Sequence, residues 1–437
     1  MNRSSTMARI VKRLAFESGR VFQYAYSVSN RIEIAVDARL ERKNVSRVDV
    51  GSYFSKEWRR IRPIKVEQAE AGQRSCVCVF AFLDGGGFFG GIATLLTSAA
   101  LLANALGYDL KVVQTISTAA DVDVVAFLEA QGIEVDRERF SMVDVSSNDS
   151  TKRSIALRED DVIVVSAWWD AYVAQHMDRD MPFVYLIQDY EPIFYGNGDH
   201  QVLAESTYST GGFIALINTS ILAEYFVSEG YAFTRDALIF EPAVISSRGQ
   251  RRGFEPESRS LFLYARPWVT RNLFAVALKA IDTAFSAGGV DWRKWRVCMA
   301  GSNDVPQLQL SCGLIVEHLG KMSLEDYRMI LHTVDVAVSP MLSPHPNYPT
   351  LEFARAGARV VTTSWRTKTD LSRYGGKIDV VPATVEDLAL AIERACRDCS
   401  PTVDDGVNDF RLGTSWTEAL QPASNELARR LRQRDRL

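Results

Sequence analysis

Residues 76–106 read CVCVFAFLDGGGFFGGIATLLTSAALLANAL. An unbroken apolar run comes first, then five glycines within residues 85–91, then an apolar stretch of about four helical turns. A short apolar run closed by glycines fits a strand buried on both faces, and the longer stretch after the glycines fits a helix packed on it. A strand over 76–83 and a helix over 92–106 are therefore expected, the first half of a βαβ unit. Cys76 and Cys78 alternate with Val77 and Val79, which puts both thiols on one face of that strand.

The same alternation extends along the chain. Strands are expected at 110–116, 161–166, 183–188, 213–218 and 238–240. Helices are expected at 120–131 and, capped by Thr219 and Ser220, as far as 228. Residues 246–260, SSRGQRRGFEPESRS, are polar and read as a linker. A second series lies beyond it, with strands at 261–264, 297–300, 314–318, 334–338, 360–363 and 378–381. Its helices fall at 273–287, 323–331, 350–358 and 385–395, and a last helix at 416–431 is placed to cross back. The fold class is α/β with two Rossmann-like domains, 71–250 and 258–410. A basic extension (1–70) precedes them and a helical segment (411–437) closes the chain.

Composition narrows the function. The chain has 437 residues, 47% apolar and 24% charged, which is ordinary for globular domains. No apolar run reaches the roughly 18 residues of a membrane span, and no signal-type h-region follows Met1, so a cytoplasmic protein is expected. The net charge of −4 is uneven: residues 1–65 carry 15 Lys and Arg against 6 Asp and Glu. The acidic remainder argues against a nucleic-acid partner. The basic segment fits either a solvated helix face or contact with anionic lipid or an acidic partner. Cys396 and Cys399 form a lone C-x-x-C with no second pair, so no zinc site is expected.

In open α/β sheets ligands bind beyond the carboxyl ends of the strands, and the unusual residues fall in those loops. The loop 84–91, with Asp84, Gly86 and Gly87, permits close backbone approach to an anion or serves as a structural turn; it matches neither a dinucleotide fingerprint nor a Walker loop. Arg266 and Arg271 flank the loop after the first strand of the second domain, and two guanidiniums there can clamp a diphosphate or be surface charges. Residues 339–349 hold four prolines between a buried strand and a helix opened by Thr350, whose terminal amides can receive a phosphate. Glu352 in that helix can accept from vicinal hydroxyls or complement the helix dipole. Trp168, Trp169 and Asp170 follow one strand, and Asp189, Tyr190 and Glu191 another; indole faces stack on sugars and carboxylates bind hydroxyls, while one tryptophan is expected in the core. Asp121 and Asp123 read as helix caps rather than metal ligands. There is no H-E-x-x-H, no G-x-S-x-G and no nucleophile with an evident paired base.

The stretches LIQDYEPIFY (186–195), AWWDAY (167–172), YARPWVTRN (264–272) and SPHPNYPTLEFARAGA (343–358) resemble glycosyltransferase family 4 of the GT-B fold, and within it the WsaF-like rhamnosyltransferases. The resemblance covers about residues 75–400 and implies two domains facing across a cleft. It implies that Glu352 holds the nucleotide ribose and that Arg266 and Arg271 bind the diphosphate. It implies that Gly320 and Met322 lie in the loop that holds the base. Many relatives carry a second glutamate eight residues before the first; here that position is Pro344, as in the WsaF-like subgroup, and His345, Asn347 and Tyr348 stand in to hold the sugar, beside Pro349 and Thr350. Asp84, Trp168, Trp169, Tyr190 and Glu191 are assigned to the acceptor, and Asp170 or Asp189 to its orientation.

The expectation is a retaining glycosyltransferase that needs no metal or other cofactor. It would move L-rhamnose from dTDP-L-rhamnose to a surface polysaccharide or lipid-linked glycan at the inner face of the cell membrane. The alternatives are a non-catalytic nucleotide- or carbohydrate-binding protein on the same two domains, and an epimerase of the same fold.

Overall fold

The computed structural model describes residues 58–83, 90–116, 122–147, 152–244, 259–398 and 410–434. The basic extension up to residue 57, the linker core (245–258) and the readings placed on Asp84, Gly86, Gly87, Asp121 and Cys399 lie outside the described residues.

The first half of the chain forms β1 (Lys65–Gln68), β2 (Cys76–Ala81), α1 (Gly90–Leu106), β3 (Asp109–Gln114), α2 (Val124–Ala130), β4 (Phe140–Asp144), β5 (Ser154–Leu157), β6 (Val162–Val165), α3 (Trp168–Gln175), β7 (Phe183–Ile187), α4 (Asp199–Ser209), β8 (Phe213–Asn218), α5 (Ser220–Ser228) and β9 (Leu238–Phe240). Seven of the strands make one parallel sheet in the order β4-β3-β2-β6-β7-β8-β9, while β1 and β5 pair in a separate ribbon. Every residue of β2 is buried, as its apolar run requires. Val77, Val79 and Ala81 feed the core on one face of the sheet, and Cys76, Cys78 and Phe80 the core on the other.

The second half forms β10 (Arg259–Tyr264), α6 (Phe274–Ser286), β11 (Trp295–Ala300), β12 (Leu308–Gln309), β13 (Ile315–His318), α7 (Leu324–Leu331), β14 (Val336–Val338), α8 (Tyr348–Arg355), β15 (Arg359–Thr363), β16 (Lys377–Val381), α9 (Val385–Asp398) and α10 (Trp416–Arg434). Its sheet runs β12-β13-β11-β10-β14-β15-β16, parallel except for the edge strand β12. Leu261 and Leu263 of β10 face one core and Phe262 the other. In each sheet the first strand is central and the order reverses beside it, so the switch points lie at β2/β6 and β10/β14.

Several boundaries differ from the sequence expectation. Trp168 and Asp170 do not simply trail a strand; they open α3. The strand end at 166 is followed at once by the helix because Ala167 stays extended and serves as its N-cap. Asp123 caps α2 by accepting from Ala126 N, in line with its reading as a cap. The closing helix α10 returns to the first sheet, where Leu420, Ala423, Leu427 and Leu431 join its core beside α1. The halves also meet directly. Ile221 and Val244 share a core with Leu351, Leu371, Tyr374 and Leu412, and Arg373 holds the Glu224 carboxylate with both terminal nitrogens, at 2.6 and 3.0 Å.

Candidate active site

Helix α8 starts two residues earlier than the sequence suggests. Asn347, at φ 59°, caps it: its Oδ1 accepts from Thr350 N at 2.8 Å and from the Ser339 hydroxyl at 3.1 Å. Pro349 takes an early helical position, where a missing N–H costs nothing. Glu352 therefore sits in the second turn. It is buried, and its Oε2 accepts from the Tyr327 hydroxyl at 2.7 Å. Burial pushes its pKa up to about 7, against the pull of that hydrogen bond.

Several amides of the proline-rich loop are already hydrogen-bonded. Ser343 Oγ takes His345 N at 3.0 Å, His345 Nδ1 takes Asn347 N at 3.0 Å, and Arg271 O takes Leu342 N at 2.8 Å. Thr350 N is held by Asn347 Oδ1, so that amide of the helix end is already bonded. The loop supplies rigidity, and positive charge comes from elsewhere.

That charge is Arg271, Arg266 and Lys368. Arg271 lies in a short turn after β10, with its guanidinium 3.8 Å from the Phe194 ring centroid and its Nε 3.8 Å from Asp189 Oδ2. The Nε has no hydrogen-bond partner. Arg266 is exposed on the same loop. Lys368 was not legible in the sequence. A tight turn between Trp365 and Lys368 folds it under the loop, fully buried, and its Nζ donates to Met341 O at 2.9 Å and His345 O at 3.4 Å. Burial pulls its pKa down to about 7, although Asp189 opposes this.

Asp189 ties the halves together. It is buried, accepts from the Ser343 hydroxyl and from Tyr190 N, and faces Arg271. Burial raises its pKa, while Arg271 and Ser343 pull it down. Glu191 accepts from Trp168 N at 2.6 Å and is pushed up to about 8, by burial first and then by Asp189 and Asp170. His345 is buried, and its Nδ1 is used as an acceptor, so a neutral ring carries its proton on Nε2. Burial, with Lys368 and Arg271 nearby, pulls its pKa down to about 3. Nε2 has no partner.

The loop at 320–322 is built around close approach. Gly320 has φ 71°, and a Cβ there would lie 2.8 Å from Asn303 Oδ1, which accepts from Lys321 N at 2.6 Å. Met322 is half-buried beside Tyr264 and Tyr327 in the core of that face.

Not all of the expected residues converge. Trp168 is packed, 2% exposed, with its indole N–H donating to Tyr195 at 2.8 Å. Trp169 is half-buried under Arg60. Asp170 is buried and accepts from Thr115 at 2.8 Å. Tyr190 turns its hydroxyl to Glu205, which also accepts from Tyr231, and its ring packs with Tyr208 and Tyr225. These placements set Trp168 and Tyr190 in packed side-chain clusters rather than on an open acceptor surface.

Among the described residues no group of three or more His, Cys, Asp and Glu could hold a metal ion, and no helix is long and apolar enough to cross a membrane.

Comparisons with known proteins agree with this architecture. The chain is 30% identical over 267 residues to the O-antigen biosynthesis protein RfbC of Myxococcus xanthus, covering 61% of this chain and 20% of that protein, so it spans about a fifth of that relative's length. Among solved structures it resembles a sucrose-phosphate synthase from Thermosynechococcus elongatus (12% identity, TM-score 0.51, covering 82% of this chain and 95% of that one). It also resembles WaaG, a glycosyltransferase involved in lipopolysaccharide biosynthesis (12% identity, TM-score 0.50, 80% and 95%). TarM of S. aureus, in complex with UDP among other ligands, is a third (8% identity, TM-score 0.51, 82% and 98%). Residues 79–220 match the WsaF N-terminal domain and residues 259–393 the WsaF C-terminal domain, one on each sheet and together more than half of the chain. With both domains present and in order, the chain belongs to the WsaF family and is built on the fold of the GT-B glycosyltransferases.

Proposed function

We propose that this chain is a glycosyltransferase of surface-polysaccharide biosynthesis that uses a nucleoside-diphosphate sugar, with dTDP-L-rhamnose as donor, and retains anomeric configuration without a bound metal. The observation that carries this reading is the buried Glu352 carboxylate in the helix after β14, across the β10/β14 switch point from the Arg266–Arg271 loop. A carboxylate in that crevice suits the two hydroxyls of a ribose, and the guanidiniums suit a diphosphate.

The chemistry needs charge compensation more than a nucleophile. As the sugar leaves, negative charge grows on the diphosphate, and preorganised cations stabilise it without reorganisation. In this reading Arg266 and Arg271 serve this purpose, with Lys368 beneath the loop. In this reading these cations carry the task that a divalent metal carries elsewhere. The acceptor hydroxyl then attacks from the leaving-group side, and a departing phosphate oxygen takes its proton. Asp189 positions Arg271 and the Ser343 loop. Of the three residues expected to hold the sugar, Asn347 is a cap and Tyr348 bonds to the first domain, which leaves the Nε2–H of His345 as the group with a hydrogen bond to give. The lipid-linked or surface-polysaccharide acceptor is drawn from the RfbC relative and from the WsaF-like resemblance. Contact of the basic extension with the inner face of the membrane belongs to the same reading.

The test is thermal-shift titration with dTDP, UDP and GDP, with and without EDTA. Selective stabilisation by dTDP that survives EDTA and disappears in Glu352→Ala is expected. No stabilisation by any nucleoside diphosphate would favour a non-catalytic protein on this fold.

A further inference from the structure

Taking an ammonium out of water is costly unless it is hydrogen-bonded and its charge is met. Lys368 is fully buried, so the groups that its Nζ reaches are informative. It donates to Met341 O at 2.9 Å and to His345 O at 3.4 Å, two carbonyls of the proline-rich loop. Ser343 lies midway between them. Its hydroxyl donates to the Asp189 carboxylate of the first domain, and the same oxygen accepts from His345 N at 3.0 Å. One ammonium therefore spans the part of the loop that carries both the interdomain contact and the His345 ring.

The two ends of this span differ. Met341 is also held by the Thr363 hydroxyl, which accepts from its amide at 2.9 Å and donates to its carbonyl at 3.1 Å. At the other end the support for His345 O comes from Lys368. The lysine is fixed at its own base. Trp365 and Lys368 exchange both backbone hydrogen bonds, at 3.0 and 2.8 Å, and the Trp365 ring lies 5.2 Å from that of Tyr225 in α5. The strut thus rests on a turn seated against the first domain, and not on the loop that it supports. Its charge acts in the same place. Asp189 attracts the ammonium, and Lys368 together with Arg271 disfavours a second proton on His345. The group that holds the His345 main chain therefore also favours a neutral ring, whose Nε2–H is buried and unpartnered.

We propose that Lys368 is a positioning residue for the donor's sugar: it braces residues 341–345 so that the His345 Nε2–H meets the sugar, without itself touching the nucleotide. The identity of the ligand rests on the donor reading above; the link between Lys368 and His345 does not.

The experiment compares the full chain with Lys368→Met, which keeps most of the side chain's length and removes its donors. Calorimetric titration with dTDP and with dTDP-L-rhamnose isolates the sugar's share of the affinity as a ratio. In Lys368→Met the affinity for dTDP-L-rhamnose relative to dTDP should fall roughly fivefold to tenfold, the worth of about one hydrogen bond. The affinity for dTDP itself should stay within about twofold. His345→Ala should lower the ratio similarly, and the double variant should lower it no further. An unchanged ratio, an equal loss of affinity for both ligands, or an additive loss in the double variant overturns the proposal. A second measurement needs no ligand. The ring-nitrogen NMR resonances of His345, identified by their absence in His345→Ala, should shift or broaden in Lys368→Met; unchanged resonances also overturn the proposal. If dTDP does not bind the parent, the donor reading has failed, and this spectrum still decides whether Lys368 holds His345. Lys368→Gln, one bond shorter and uncharged, gives the same comparison should the methionine variant not fold.

Discussion

Asn218 donates its side-chain amide to the Tyr348 hydroxyl at 2.8 Å; Asn218 ends β8 of the first sheet, and Tyr348 opens α8 after β14 of the second. Thr94 of α1 stands 3.3 Å from the same hydroxyl. One phenol thus joins the start of the first helix, the end of β8 and the first turn of α8. Asn218 is fully buried, so losing this acceptor strands its amide. Tyr348→Phe should cost about 1–3 kcal/mol of stability. Calorimetric melting checks this. Full-length stability equal to the parent would show that the bond contributes nothing to holding the halves together.

The buried acids lead to a second expectation. Glu352 is raised to about 7, Asp170 to about 7 and Glu191 to about 8. Each ionises in the unfolded chain well below those values, so between the two the folded form binds more protons. Through these three acids the stability of the ligand-free protein falls as pH rises from about 5 to about 8. His345 and Lys368, whose folded values are depressed, act in the opposite direction. Glu352→Gln should remove its own share, on the order of 2 kcal/mol at pH 8, and leave stability at pH 5 nearly unchanged. The same variant should lose nucleotide binding. Melting temperatures of both proteins across this range decide the matter; a parallel fall in the two would assign the effect to other groups.

His345 gives an expectation with a different readout. Its Nδ1 accepts from Asn347 N, and its pKa is pulled down to about 3. The ring should stay neutral with the proton on Nε2 throughout pH 5 to 8. Imidazole nitrogen NMR of histidine-labelled protein should show one resonance pair that does not titrate. A titration near the ordinary histidine value of about 6.5 would refute the assignment.

These residues show where the sequence was readable. The strand at 213–218, the Thr219 cap and the strand at 238–240 were legible because apolar runs and a capping residue mark them directly. The edge strand β4, FSMVD, was not, because no residue in it is buried and its pattern lacks an apolar run. Helix α4 was missed for a related reason: only Ala204, Thr207 and Tyr208 of it are buried. Glu352, Arg266 and Arg271 drew notice from their place after strands, and the structure sets them on either side of the β10/β14 switch point. Lys368 and Tyr327 were not. A lysine between two threonines carries no sign of burial, and Tyr327 reads as one more residue of an amphipathic helix until the fold sets it against Glu352. Asp170 and Tyr190 carried the right chemistry in the sequence, but only packing shows that one bonds to Thr115 and the other to Glu205.

The backbone under Arg266 gives the last expectation. Gly301 follows β11 at φ 129°, and a Cβ there would stand 2.6 Å from Ala265 O and 3.2 Å from Arg266 Cγ. Its amide donates to Gly320 O at 2.9 Å, so the residue clamps the Arg266 loop to the 320–322 loop. Gly301→Ala meets both a backbone carbonyl and an unfavourable φ, and should cost about 2 kcal/mol or more. Gly132→Ala also has positive φ (77°) but open space around its Cβ, and should cost only about 1 kcal/mol. Because Gly301 supports the Arg266 loop, which the proposed function assigns to the diphosphate, its variant should also weaken dTDP binding, whereas Gly132→Ala should leave it unchanged. Melting and dTDP titration of the two variants side by side separate strain at the site from strain in general. Equal loss of dTDP affinity in both would show that the effect comes from lowered stability rather than from displacement of the Arg266 loop.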